Sequence, residues 1–175
     1  MKLVDQITGD TMFKIKSEVK SDTRKIDGLF NRLKSLDTYE VAYGYFEGDI
    51  HNESGLDIAY LAEMLNYGTD KIIARPFMDL AGDMVERHFE VDREWKREIW
   101  RYLGGVGSIK TILAQFGRVG ETYVQASIDV GDWEENVEWW KQAKFEKYGS
   151  SAPLIASQDL YNSVDYRVVK IGNQT

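Results

Sequence analysis

The residues best suited to acid–base chemistry are concentrated in "GDWEENVEWW", residues 131–140. Paired carboxylates beside aromatic rings are what cleavage of a glycosidic bond needs, because one carboxyl donates a proton while the other acts as base or nucleophile. Glu134 and Glu138 are the two carboxylates that fit this hypothesis. However, Asp132, Glu134 and Glu135 also fit the first turn of a helix, where the helix dipole favours acids. Nothing in the pattern isolates one carboxyl in apolar surroundings to raise its pKa. A small peptidoglycan or glycan hydrolase is therefore kept only as an alternative function.

The remaining candidates for chemistry are few. His51 lies in a polar loop beside Asp49 and Glu53, and His88 falls on the apolar side of a predicted helix. Neither has a second histidine at a metal-ligand spacing, and the chain contains no cysteine. "GGVG", residues 104–107, lacks the spacing and the preceding strand of a phosphate-binding loop. We therefore predict no catalytic residue, no metal and no cofactor, and expect a protein that is not an enzyme.

The charge of the chain is unevenly distributed. Residues 1–36 hold 8 Lys/Arg and 5 Asp/Glu, a net of +3, so the total of −7 leaves −10 for residues 37–175. Affinity for nucleic acid comes mostly from Lys and Arg that neutralise phosphates, so the acidic body argues against a sequence-reading DNA-binding protein. No apolar stretch reaches the roughly 20 residues that span a bilayer, and "MKLVDQITGDTMFK" lacks the apolar middle of a signal peptide. We expect a cytoplasmic protein with no membrane segment.

Apolar periodicity predicts the helices that must position any site. Residues 11–36 are predicted to form an amphipathic helix weakened at Gly28, whose basic residues are either a solvated face or dock on an acidic neighbour. Ser54, followed three positions later by Asp57, predicts the start of a second helix, which carries Ile58, Leu61, Ala62 and Leu65 on one face and ends at Gly68. After it, apolar residues recur at helical spacing from Phe77 to Leu103 and predict one helix of about 25 residues.

Two further helices are predicted in the second half of the chain. The one that begins at Ile109 contains Gly117 and Gly120, which weaken a helix unless another element packs closely against it. Residues 128–133 are typical of a turn, and residues 133–149 predict a shorter helix. The stretch that follows, "SSAPLIASQDLYNS", is predicted to be a loop with one turn of helix.

Two segments have the alternation of β-strands. Residues 39–47 are rich in β-branched and aromatic side chains, and residues 163–171 alternate Val164, Tyr166 and Val168 with polar neighbours. These elements predict an α+β fold, with a small antiparallel sheet and several helices packed on it. A chain of 175 residues can build one core. We predict a single domain over 1–175, made of an N-terminal helical segment, 1–36, and an α+β body, 37–175.

Residues that end or begin helices are concentrated in the segment "NYGTDKIIARPFM", residues 66–78. Pro76 lacks an N–H and has a preset φ angle, so it fits the first turn of a helix. Steric clash with the proline ring pushes Arg75 into an extended conformation. Residues 69–75 are therefore predicted to be an extended connector that is held at both ends.

Four blocks, two of which contain the ends of this connector, resemble a known family, the tail-completion or neck proteins of long-tailed bacteriophages. In order they are "VAYGYFEG", "LDIAYLAEMLNYGT", "ARPFM" and "KYGSSAPLIASQDLYNSVDYRV", and together they cover about half of the chain. The third block is similar to the family's Ala-Arg-Pro-Phe element and the fourth to its C-terminal ending. The chain departs from the pattern at Ile72-Ile73, where the family often has proline, and at 157–159, where a Thr-Gly pair is usual.

The resemblance implies a structural virion protein that joins the DNA-filled head to the tail. It implies a homo-oligomeric ring, a hexamer, assembled in the host cytoplasm and placed in the neck of the virion. Its partners would be other neck, connector and tail proteins, and DNA would pass through without sequence recognition. A tail terminator that caps the tail tube is an alternative in the same class.

In such a ring the connector would supply one interface patch. Arg75 offers a planar fork for carboxylates, while Tyr67 and Phe77 offer large apolar area. The alternative is that Phe77 packs into the core of its own chain, and both interpretations are compatible. The predicted subunit or partner interface consists of Tyr67, Gly68, Thr69, Arg75, Pro76 and Phe77.

Overall fold

The computed structural model describes residues 23–154 and 158–172. The elements in chain order are α1 Arg24–Leu36, β1 Tyr39–Gly44, α2 Ile58–Tyr67, α3 Phe77–Val91, α4 Glu94–Leu103, α5 Ile109–Val130, α6 Glu138–Tyr148, α7 Asp159–Asn162 and β2 Asp165–Lys170. The two strands pair antiparallel, with Tyr39 opposite Lys170 and Gly44 opposite Asp165. The predicted α+β fold with a small antiparallel sheet is confirmed.

Helix α5 is the centre of the packing, and its two glycines explain how it meets the sheet. Tyr43 and Tyr166 lie opposite each other in the register of the strands. A Cβ atom added at Gly117 would lie 2.3 Å from Cδ2 of Tyr166, and one added at Gly120 would lie 2.3 Å from Cγ of Tyr43. Both rings therefore rest directly on the helix backbone. This is the close packing that the sequence predicted at the two glycines.

Two apolar clusters share α5. The larger cluster joins α2, α3, the second half of α5 and α7, and its buried members are Ile58, Ala62, Phe77, Ala81, Val124, Ile128, Leu160 and Val164. The smaller cluster joins α4 to the first half of α5 through Tyr102, Ile109 and Ile112. A single helix thus carries both halves of the core, and the β1–β2 sheet lies across its middle.

The single helix of about 25 residues predicted after Pro76 is wrong, because the structure divides it into α3 and α4. Asp92 has an extended ψ of 121°, and its Oδ1 accepts a hydrogen bond of 2.7 Å from the N–H of Glu94 in the first turn of α4. The indole Nε1 of Trp95 donates to the carbonyl of Phe89 at 2.7 Å and so satisfies the end of α3. The break lets the Trp95 ring pack edge-on against Phe89 and Phe116.

The boundary between α5 and α6 also differs from the prediction. Helix α5 continues to Val130, and α6 begins at Glu138, so residues 131–137 are not helical. Trp133 folds back at this point, because its N–H donates to the carbonyl of Gly131 at 2.9 Å and its indole to that of Ile128 at 3.3 Å. The acids at 132, 134 and 135 therefore precede α6 and do not occupy its first turn.

The N-terminal helix is described only in part. Residues 24–36 form α1 and continue through Gly28 without a break, whereas residues 11–22 of the predicted helix lie outside the described residues. The end of α6 agrees with its prediction, since Gly149 follows it in the left-handed conformation. The turn of helix predicted within residues 150–163 is α7, at 159–162.

Candidate functional site

The connector between α2 and α3 begins with a turn. Gly68 has a φ of 76°, and its N–H donates to the carbonyl of Met64 at 2.9 Å. The N–H of Thr69 then donates to the carbonyl of Ile72 at 2.8 Å, while the Thr69 hydroxyl accepts from the N–H of Ile72 at 3.0 Å. The prediction of an extended connector over 69–75 is therefore wrong for 69–72, because the threonine side chain closes a turn there.

The second half of the connector is held at both ends, as predicted. The N–H of Arg75 donates to the carbonyl of Leu65 at 2.8 Å, which ties the connector to α2. Pro76 precedes α3, and the N–H of Met78 in the first turn donates to Oδ1 of Asn66 at 2.9 Å. Asn66 is buried on α2. A side chain of one helix thus caps the next helix, where Pro76 has no hydroxyl or carboxylate to do so.

The Arg75 side chain points inwards and fastens the segment before α6. It is 4% exposed, and its Nε and Nη2 donate to the carbonyl of Glu134 at 3.1 and 2.9 Å. Nη2 also donates to Oδ1 of Asn136 at 3.0 Å. Burial lowers the pKa of Arg75, and the charge of Glu134 opposes that change. Arg75 therefore links the connector to residues 134–136.

A second buried cation lies nearby on α6. Lys144 is 3% exposed, and its Nζ donates to the carbonyl of Ala152. Burial lowers the pKa of Lys144 to about 8, and the charge of Arg75 contributes in the same direction. Arg75 is therefore close enough to Lys144 for its positive charge to disfavour the protonated form of the lysine, in a region with little solvent.

Two cavities adjoin these cations. The first, which we call the cationic pocket, has a volume of about 170 Å³ and is lined by His51, Leu61, Leu65, Arg75, Asn136, Trp140, Lys144, Leu154, Gln158 and Leu160. The second, which we call the connector groove, has a volume of about 350 Å³ and is lined by Leu65, Lys71, Ile72, Ile73, Arg75, Asn136, Val137, Trp139 and Trp140. Arg75 and Asn136 line both.

The six residues of the predicted interface are divided between surface and interior. Tyr67 is 71% exposed, whereas Phe77 is fully buried and packs edge-on against Tyr45, with 6.1 Å between the ring centroids. The interpretation in which Phe77 belongs to its own core is therefore confirmed, and Arg75 is also occupied inside the chain. A partner contact stays a prediction for the rest, which are Tyr67, Gly68, Thr69 and Pro76.

Sequence reasoning missed Asn66, Asn136 and Lys144. A signal for the first was available, because Asn66 follows Ile58 and Ala62 at intervals of four on the apolar face of α2. A polar residue on such a face is buried, and a buried polar group normally has a hydrogen-bond partner. Nothing in the spacing of Asn136 and Lys144 indicates that they are drawn inwards, since both lie among exposed acids and lysines.

The carboxylates of the enzyme alternative form ion pairs. Nζ of Lys141 lies 2.6 Å from Oε2 of Glu135 and 3.1 Å from Oε2 of Glu138. The hydrogen bond from Lys141 lowers the pKa of Glu135, the opposite of the raised pKa that a general acid needs. Across residues 23–154 and 158–172, no group of three or more His, Cys, Asp or Glu could hold a metal ion.

The two histidines are both in contact with neighbouring groups. His88 is half-buried against Phe89 and Tyr123, and the hydroxyl of Tyr123 lies 3.2 Å from its Nδ1. The position of His88 on the apolar side of its helix, predicted from the sequence, is confirmed. His51 has Nδ1 2.9 Å from the hydroxyl of Ser54 and Nε2 3.8 Å from Oδ2 of Asp159.

Comparison of the chain with protein-family models, with curated proteins and with solved structures found no match. Within the part of the chain that the structure describes, no helix is both long enough and apolar enough to cross a membrane.

Proposed function

We propose that this chain is a structural virion protein of a long-tailed bacteriophage, a tail-completion or neck protein that forms a ring between head and tail. Support comes first from the four sequence blocks, which resemble that family in the same order. It comes second from two exposed apolar surfaces on different elements of the fold. The second observation carries the proposal, because it fits assembly between copies.

The first surface is the connector groove. Trp139 is 72% exposed, and Ile73 and Val137 beside it are also exposed. A soluble monomer rarely leaves a contiguous apolar patch of this kind without a partner. The lining of the groove includes the cations Lys71 and Arg75. Glu134, Glu135 and Glu138 lie beside it in sequence, and Glu135 and Glu138 pair with Lys141. The groove is thus an exposed apolar surface with charges of both signs around it.

The second surface is one face of α1. Among the described residues this face is exposed and consists of Ile26, Leu29, Phe30 and Leu33. Helix α1 is held to α4 by other side chains: Nε of Arg32 donates to the carbonyl of Leu103 at 2.9 Å, and Ser35 is hydrogen-bonded to Tyr102. The helix contains four Lys or Arg and one Asp. It therefore presents an apolar surface in basic surroundings.

Two different exposed apolar patches on one chain favour head-to-tail association. When one patch of a subunit binds a different patch of its neighbour, the assembly closes into a ring if the rotation between subunits allows it. We propose that the α1 face of one copy docks at the connector groove of the next. The exposed Tyr67, which follows Asn66 at the end of α2, lies on the connector side of this contact.

The proposed ring is a hexamer in the virion neck, assembled in the host cytoplasm, whose other partners are neck, connector and tail proteins. We propose that acidic side chains line its lumen, in keeping with the net charge of −10 that residues 37–175 carry within a total of −7. An acidic wall repels phosphates, so DNA would slide through without being bound or read. A tail terminator ring would use the same contacts and differs only in its neighbours.

The test is the mass of the purified protein over a range of concentrations, with negative-stain images of the largest species. We expect closed rings. Phe30→Glu, at a residue that is 58% exposed, should reduce the ring fraction because it places a charge in the interface. Val91→Glu is the matched control on an exposed valine at the end of α3 and should leave rings intact. A monomer or a symmetric dimer at all concentrations would contradict the proposal.

A further inference from the structure

The cationic pocket contains two buried positive charges without a buried negative partner among the described residues. Arg75 and Lys144 both line it and are 4% and 3% exposed. Their hydrogen bonds go to neutral oxygens, namely the main-chain carbonyls of Glu134 and Ala152 and the side-chain oxygen of Asn136. Burying a cation is costly unless an opposite charge or a full set of acceptors compensates.

The same pocket has hydrogen-bond donors that no described residue satisfies. An ammonium group has three N–H donors, and Lys144 uses one, towards Ala152. Asn136 must turn its oxygen towards Arg75, because a guanidinium offers only donors. Its Nδ2 therefore faces the other way, where it is buried and has no partner. Within residues 23–154 and 158–172, these donors have no acceptor.

The nearest carboxylates do not supply it. Glu134 favours the charged form of Arg75, but its side chain does not line the pocket. Asp159 is directed to His51 and Asn52, with Oδ2 3.8 Å from Nε2 of His51. No Asp or Glu is found among the lining residues that the structure describes. Burial and mutual repulsion of the cations lower the pKa of Lys144 to about 8, and a bound anion would oppose both effects.

We propose that the cationic pocket binds a small carboxylate that carries an apolar tail. Arg75, Lys144 and Asn136 supply its donors, His51 and Gln158 are the other polar residues of the lining, and the remainder of the wall is four leucines and Trp140. A phosphate needs donors on several sides, which leucine walls do not give, whereas a carboxylate needs them on one. The carboxylate could belong to a free short-chain acid or to a side chain or C-terminus of another copy. The proposal does not depend on ring formation.

Lysine labelling on the unaltered chain tests this directly. A limiting amine-acylating reagent is applied at pH 8, and the modification of Lys144 and Lys147 is read by peptide mass spectrometry. Lys147 lies on the same helix, is exposed and pairs with Glu53 at 2.8 Å, so it serves as an internal reference. Butyrate should protect Lys144 with a millimolar midpoint and leave Lys147 unchanged. Acetate should need higher concentrations because it lacks the tail, and chloride at equal ionic strength should not protect.

Two variants give an independent measurement by thermal unfolding with added butyrate. Lys144→Met removes one cation but keeps an unbranched apolar chain, and it should weaken the butyrate-dependent rise in Tm by about tenfold in concentration or more, as expected for loss of a charge-assisted hydrogen bond. Lys147→Met should respond like the unaltered chain. The proposal is overturned if butyrate and chloride act alike, or if Lys144 is labelled equally with and without butyrate in every fraction.

Separate labelling of monomer and oligomer fractions identifies the source of the carboxylate. Protection of Lys144 in monomer by butyrate alone indicates a free acid. Protection in the oligomer without butyrate, lost on dilution to monomer, indicates a carboxylate of another copy. Because the oligomer mass is measured separately, an intact ring in which Lys144 is unprotected both with and without butyrate, together with an unprotected monomer, would refute this proposal and leave the ring proposal standing.

Discussion

The contact between α5 and the strand tyrosines predicts that Gly120→Ala destabilises the fold. An added Cβ would lie 2.3 Å from Cγ of Tyr43, whereas ordinary contacts are 3.4–4 Å. The helix and the strand must therefore separate by more than 1 Å or the ring must move. Such overpacking typically costs about 1–3 kcal/mol. The higher helix propensity of alanine offsets about 1 kcal/mol of this cost, so we expect a net loss of stability of about 0–2 kcal/mol.

Gly82→Ala is the matched control. Gly82 lies within α3, and an added Cβ would meet nothing within 4 Å. Only the propensity gain remains, so this variant should be more stable by about 0.5–1 kcal/mol. Urea unfolding followed by circular dichroism measures both. A chain of this size changes its Tm by about 2–4 °C per kcal/mol, so the two variants should differ visibly in a thermal scan as well.

A double-mutant cycle separates the ring contact from other effects of the substitution. In a Tyr43→Ala background the ring is absent, so adding Gly120→Ala should no longer destabilise and should act like Gly82→Ala. The non-additivity should reach about 1–3 kcal/mol, as for side chains in direct contact. If Gly120→Ala alone stabilises the chain as much as Gly82→Ala does, the close approach of sheet and helix is not as described.

Three further changes test other parts of the fold. Phe77→Ala should lower the free energy of unfolding by about 3–5 kcal/mol in urea titrations, because the ring is fully buried. Asp92→Ala should cost about 0.5–2 kcal/mol in the same titrations, since its carboxylate accepts from the first turn of α4. Main-chain N–H groups of Gly48 and Ala59 lower the pKa of Asp57. The contribution of Asp57 to the free energy of unfolding should therefore be present above its pKa in the unfolded chain, about 4. It should be lost as the pH falls through the lower pKa that Asp57 has in the folded chain. Asp57→Asn should differ from the unaltered chain in urea titrations at pH 6, and the difference should shrink in acid.

The elements of this fold were predictable where a local pattern determines them. Apolar periodicity located the body of each helix, and alternation located both strands, because these signals depend on which face of a single element is buried. Gly68 and Gly149 marked helix ends correctly since their backbone conformations follow from the lack of a Cβ. The need for a close neighbour at Gly117 and Gly120 was also visible, although not which side chains would supply it.

The errors occurred where a distant partner decides the local structure. Trp95 and Trp133 each end a helix by donating to a main-chain carbonyl, a role that an aromatic residue does not reveal in sequence. The candidate site was harder still. Arg75 was singled out as a binder of external carboxylates, yet its internal partners lie some sixty residues further along the chain. Lys144 lies in a strongly charged helix, and only the folded arrangement shows that it is buried.

The pairing of β1 with β2 has a consequence for synthesis. Helices α2 to α7 all lie between the two strands in sequence, so β1 must wait on the ribosome until these helices have been made. During that time α5 is already complete, and its glycine face has no tyrosine from β2 to cover it. A polypeptide that stops just before Asp165 should consequently leave part of this surface uncovered and aggregate, even though it contains all the helices from α1 to α7.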